Sequence, residues 1–273
     1  RADVGFAMGS GTEVAKEAGD IVVLDDNFAS IARAIRYGRT IFRSIRKFVT
    51  FQLTMNMGAV GVSLIAPFIG TDTPVTVIQM LWINIIMDTL AGLAFAGEPA
   101  LEEYMRTPPV PRKERVLDGH TAGRILWMGG YSVILSLLFL ELPFFRRFFS
   151  FAEDPVRLYT AFFALFVFMG LFNAFNARTE RLNLFSHLGK NKLFVVFILL
   201  VAAVQLLLIR FGGSAFRCTP LSARELLAVL ALSFTVIPAD FLRRCAAKAL
   251  REKRKKDRGR AASNALSPAG RRG

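Results

Sequence analysis

Six runs of about twenty apolar residues recur along this chain, and about twenty residues is the length an α-helix needs to cross the hydrocarbon core of a bilayer. They fall at roughly 48–69, 75–96, 125–145, 157–176, 192–211 and 224–242. A soluble globule cannot absorb so much unbroken apolar sequence, because its surface helices need a polar face for water. With 53% of its residues hydrophobic, the chain reads as an all-α polytopic membrane protein with six transmembrane helices. That excludes the soluble enzyme classes.

Lysine and arginine set the expected orientation. Six basic residues (Arg33, Arg36, Arg39, Arg43, Arg46 and Lys47) precede the first span, five lie within 97–124 and four within 177–192, whereas the alternate connections hold none, three and three. Cytoplasmic loops carry the excess of Lys and Arg, so both chain ends are expected in the cytoplasm, as an even number of spans also requires. Cys218 and Cys245 then fall on opposite faces of the membrane, which argues against a disulfide between them.

From Arg243 onward, twelve basic residues stand against only Glu252 and Asp257, so +10 of the formal +14 lies in one tail beside the membrane. Such a tail anchors topology and attracts anionic lipid. Its KALREKRKKDR run lacks a long apolar face, which favours lipid over calmodulin as the partner, and nucleic acid is not expected.

Ahead of the spans, VGFAM and DIVVL are short strand candidates flanking TEVAKEA, a helix former with Thr12 as its N-cap. Two strands and one helix cannot bury a core by themselves. The chain opens RADVGFAMG without Met or a signal peptide, so it reads as a fragment that begins inside a domain. From Ser30 a basic amphipathic helix places Ile31, Ile35, Phe42, Ile45 and Val49 at helical spacing and runs without a breaker into the first span.

The second span contains LWINIIMDTL, with Asn84 and, four residues later, Asp88. An aspartate at the bilayer centre costs about 2.5–3.5 kcal/mol on insertion scales and is rare unless it faces a bundle interior or a pathway. Asn84 and Asp88 share one helix face, as do Gln52 and Asn56 in the first span. Counting about 1.5 Å per residue from the cytoplasmic ends puts Asn56 and Asp88 at similar depth. One carboxylate and two amide oxygens suit a hard cation such as Ca²⁺ and suit a soft metal badly. They supply at most four of the six to eight oxygens Ca²⁺ takes, so the expected site is partial. The bland alternative is that Gln52, Asn56 and Asn84 are interhelical hydrogen-bond groups.

The stretch RADVGFAMGSGTEVAKEAGDIVVLDDNFASI, the basic helix after it, QLTMNMGAV and QMLWINIIMDTLAGLAFAGEP closely resemble the C-terminal part of P-type calcium-transporting ATPases, with FMGLFNAFNART at 168–179 a later landmark. The resemblance implies that residues 1–29 are the end of a haloacid-dehalogenase-like phosphorylation domain, 30–47 a cytoplasmic stalk helix, 48–242 the last six spans of the pump, and 243–273 a basic cytoplasmic tail. It implies Ca²⁺ as transported ion, with Asn56, Asn84 and Asp88 as its ligands. ATP and Mg²⁺ would serve only the full-length pump, and the remaining N-terminal part would be a partner. No catalytic residue is expected in this chain, since the DKTG phosphorylation motif is absent from it.

There are departures from the reticulum-type pattern. Ala59 stands where those pumps place a glutamate, Met87 where they place a threonine, and Gly170 where they place an acidic ligand. The remaining pattern resembles the plasma-membrane type, including bacterial pumps of that type, with a single ion per cycle. A P-type ATPase for Mn²⁺, Na⁺ or H⁺, and a stand-alone six-span protein without activity, remain alternatives.

Other residues read as structural. Gly9, Gly11 and Thr12 form a strand-to-helix turn without the lysine a phosphate-binding loop needs. His120 and His187 are expected in loops without partners, Glu141 near the outer interface, and Trp82 and Trp127 in packing or interfacial positions.

Overall fold

The computed structural model describes residues 4–70, 74–111, 114–179, 183–184 and 186–249. Strand β1 (Phe6–Met8) pairs in parallel with β2 (Ile21–Val23), Phe6 opposite Ile21, and helix α1 (Glu13–Ala18) crosses between them. The Thr12 hydroxyl accepts from the Ala15 amide at the start of α1, as its position predicts. Gly9 is required here: a Cβ would come within 3.0 Å of the Leu24 backbone carbonyl.

Helix α2 (Phe28–Ile65) is a single element of 38 residues, so stalk and first span are continuous. Its buried positions in the stalk are Thr40 and Ser44, while Ile35 and Ile45 are exposed, which corrects the expected apolar contact stripe. The reason lies in what packs there. The loop after the second span wraps the stalk with carbonyls and carboxylates: Arg39 donates to the carbonyls of Tyr104 and Thr107 at 2.7 Å, Arg43 lies 4.2 Å from the centre of the Tyr104 ring, and Arg46 bonds Glu114 at 2.8 Å.

The second span is composite. Helix α3 (Val77–Asn84) starts with a reciprocal cap between Thr76 and Gln79, passes into a π-helical turn over Ile85–Leu90, and resumes as α4 (Ala91–Ala96). Ile83 and Ala91 are both buried. Eight residues apart on an α-helix, they would point about 80° from each other. The wide turn removes most of that offset and keeps both against the bundle.

Helix α5 (Gly119–Glu141) ends earlier than the expected 125–145 span. Leu142 is extended because Pro143 follows, and the proline opens a separate short helix, α6 (Pro143–Phe148). Asp118 caps α5, and the hydrogen bonds it accepts from Thr121 hold its carboxyl below the usual carboxylate range. Helix α7 (Pro155–Arg178) is the hub, buried at every residue from Leu158 to Leu171. Its small residues Ala161, Ala164, Gly170, Ala174 and Ala177 let neighbouring helices approach closely. Helices α8 (Lys192–Phe211) and α9 (Ala223–Phe234) complete the set, and α9 continues past a turn at Thr235 as helical residues 236–249. Six helices are thus long and apolar enough to cross a membrane. Residues 250–273, with most of KALREKRKKDR, lie outside the described residues.

Candidate ion site

Asp88 sits in the π-helical turn, where Ala91 donates back five residues to the Ile86 carbonyl. Wide turns of this kind are uncommon and concentrate at functional positions. Asn84 and Asp88 are exposed while Ile83 and Ile86 are buried, so both polar side chains lie on the face of the span turned away from the bundle. The partner of the Asp88 carboxylate is Gln52: its Nε2 donates to Oδ1. Asn56, half-buried, lies one turn further along α2. The structure brings Asp88 together with Gln52, four residues before Asn56 on α2. Met87 falls at a position whose side chain lies outside the described residues.

Around Gly170 the space is filled. A Cβ there would meet the Met55 methyl at 2.9 Å, and Met55 is itself buried. A side chain at that point would require the Met55 methyl to move aside. Among the described residues no group of three or more His, Cys, Asp or Glu side chains gathers in metal-binding range.

Two polar clusters were not singled out from the sequence. Just beyond the C-terminal end of the second span, the side chain of Glu98, only 6% exposed, bonds Lys47 at 2.6 Å, Asn191 at 2.8 Å and Arg178 at 3.5 Å. This ties α2, α7 and the start of α8 to the end of α4. At the end of the last span, buried Asp240 bonds Arg243 and Arg244 at 2.7 and 2.6 Å, with Arg124 of α5 4.0 Å away. Arg124 and Arg244 also donate to the Asn176 carbonyl of α7. Charged residues at the ends of apolar runs were the available signal, but their partners are remote in sequence.

The remaining polar candidates take structural places. His120 is the second residue of α5, not a loop residue, and the His187 ring nitrogen lies 2.9 Å from the Ser186 hydroxyl, so neither expectation of an unpartnered loop histidine holds in full. Glu141 pairs with Arg146 at 3.5 Å, Trp82 donates to Gln205 at 3.1 Å, and Trp127 is exposed. Cys218 is buried and Cys245 exposed, both as free thiols.

Comparison with known proteins now has a structure to refer to. The chain is 42% identical over 235 residues to "Plasma membrane calcium-transporting ATPase 2" of Oreochromis mossambicus, a match covering 82% of this chain and 21% of that protein. It is 42% identical over 235 residues to "Plasma membrane calcium-transporting ATPase 3" of Homo sapiens, covering 82% of this chain and 19% of the relative. To "Calcium-transporting ATPase 8, plasma membrane-type" of Arabidopsis thaliana it is 39% identical over 229 residues, again 82% of this chain and 21% of the relative. The chain spans about a fifth of the length of these curated relatives. The family profile described as "Cation transporting ATPase, C-terminus" matches residues 72–246, which take in five of the six apolar helices and Asp88, and the chain belongs to that family.

Proposed function

We propose that this chain is the C-terminal membrane part of a P-type ATPase that couples ATP hydrolysis to Ca²⁺ export across the plasma membrane, with both chain ends in the cytoplasm. In this reading Asn56, Asn84 and Asp88 are ligands of the transported ion. Residues 1–29 complete the phosphorylation domain, 30–47 form the stalk, and 243–273 form a lipid-facing tail. The observation that carries the reading is Asp88 itself. Its carboxylate lies on a π-helical turn of a span, on a face this chain leaves uncovered. A carboxylate turned toward lipid is costly. Coverage of that face by the rest of the pump, and neutralisation by a cation, offset the cost. Gly170 offers no side chain at that point and the Met55 methyl fills the space beside it, which supports one ion per cycle.

The test is phosphorylation from ATP of the full-length pump carrying this chain, in the presence of Ca²⁺, Mn²⁺, Na⁺ or buffer at varied pH. Ca²⁺ is expected to activate at the lowest concentration. Activation by another ion with no response to Ca²⁺ would replace the ion in this reading, and no phosphoenzyme under any condition would remove it.

This chain purified alone is expected to hydrolyse no ATP, since phosphoryl transfer needs a positioned acceptor and Mg²⁺ site that DKTG-type sequence provides. Phosphate release from the purified chain above an empty-vector control would contradict this. A tail peptide spanning Arg243 onward is expected to bind anionic vesicles at low salt and to leave them as ionic strength shortens the reach of surface charge. Binding that is indifferent to salt would count against the lipid-facing tail.

A further inference from the structure

The Gln52 amide bonds one oxygen of the carboxylate that the proposed ion needs. Its Nε2 donates to Asp88 Oδ1, joining the first span to the π-helical turn of the second. The hydrogen-bonding end of a glutamine amide is a donor on one side and an acceptor on the other. Here the donor side faces the carboxylate, and its partial positive charge repels any cation approaching that oxygen. A carboxylate in apolar surroundings without a counter-charge is strongly unfavourable, and a donor aimed at it recovers part of the loss.

We infer that Gln52 is a positioning residue that locks Asp88 in the ion-free state, acting as a stand-in for the cation and yielding the carboxylate when the cation enters. The inference rests on the reading of Asp88 as an ion ligand. Geometry places Gln52 for this role and Asn56 for another. Gln52 meets the carboxylate directly, whereas Asn56 is half-buried one turn further along the same helix, where the proposed function makes its amide oxygen a ligand. Lys47 and Glu98, bonded at 2.6 Å, pin the same two spans together nearer the cytoplasm, so the Gln52 to Asp88 bond can break without the helices parting.

A lock and a ligand predict opposite signs. If Gln52 competes with the ion, removing its amide makes the ion-free state less stable and ion entry easier. Gln52→Leu and Gln52→Met, the second close to glutamine in length, are measured in the full-length pump. The Ca²⁺ concentration for half-maximal phosphorylation from ATP is expected to fall about tenfold in both variants, equivalent to about 1.4 kcal/mol. Phosphorylation from inorganic phosphate, which draws on the ion-free form, is expected to fall with it. Unchanged or weakened Ca²⁺ activation in both variants overturns the lock, the weakened case marking Gln52 as a ligand. Asp88→Asn, measured alongside, separates the two levels. If that variant transports Ca²⁺ normally, the ion-site reading itself fails; if it does not and the Gln52 variants are unchanged, only the lock fails.

Discussion

Asp88→Asn in the full-length pump is expected to raise the Ca²⁺ requirement for phosphorylation from ATP by at least a hundredfold while leaving expression and membrane insertion intact. The substitution keeps the shape, one carbonyl oxygen and the reach of the side chain. It removes the only negative charge that this part of the chain offers the ion. Removing one charged partner from a buried pair costs about 3–5 kcal/mol, which corresponds to about two to three and a half decades in affinity. A packing role would tolerate the change, and insertion would become easier without the charge. Phosphorylation from inorganic phosphate is expected to survive, because it does not require the ion. Asn84→Ala and Asn56→Ala should weaken Ca²⁺ activation in the same direction and by less, each removing a neutral oxygen. An Asp88→Asn pump with ordinary Ca²⁺ affinity would show that the carboxylate is not a ligand.

The second large effect is structural and sits at the other end of the bundle. Asp240 is fully buried, and the side chains of Arg124 and Arg244 around it are each only 8% exposed. Asp240→Ala leaves these guanidinium groups and that of Arg243 without their shared counter-charge. Breaking a buried ion pair from one side costs about 3–5 kcal/mol, so the membrane domain of the detergent-solubilised pump, a unit of about 200 residues, is expected to melt about 10 °C lower. Asp240→Asn, which keeps hydrogen-bond acceptance and loses the charge, should fall between. Because the cluster joins α5, α7 and the end of the last span, loss should be read out by protease cleavage near residue 243 as well as by melting. A melting temperature within a degree or two of the unsubstituted pump would show that the cluster does not hold these helices together.

What could be read from the residues, and what could not, follows from the range of each interaction. The six spans, the Thr12 cap and the strand, helix, strand order at the start depend on periodicity and neighbours a few residues away, and they are found where local patterns put them. The end of α5 was misplaced because the run of apolar residues continues through Leu142, although Pro143 already carried the signal for a break. The central position of α7 has no such signal. Helix α8 is more apolar than α7 and yet far less buried, so composition alone does not distinguish the buried hub from helices on the outside. At the candidate site, counting residues inward from the cytoplasmic ends matched Asp88 to Asn56. The hydrogen bond to the carboxylate comes from Gln52, one turn away, which the count did not single out. The count assumed a regular α-helix, and the π-helical turn over Ile85–Leu90 changes both rise and facing direction just where the carboxylate sits. The stalk was misread for a related reason: its arginines bond a loop that arrives from sixty residues downstream, and no apolar stripe in the helix reports that contact.

The 38 uninterrupted residues of α2 also have a torsional meaning. At about 1.5 Å per residue the helix is a shaft about 57 Å long. Without an interior proline or wide turn to absorb twist, a rotation imposed at Asn27 arrives undiminished at Gln52. Side-chain tips ride about 5–6 Å from a helix axis, so turning the shaft by about 30° carries the Gln52 amide sideways by about 3 Å. That is the full length of a hydrogen bond. A modest axial turn of the stalk, with no tilt and no piston movement, is therefore enough to take the amide off Asp88.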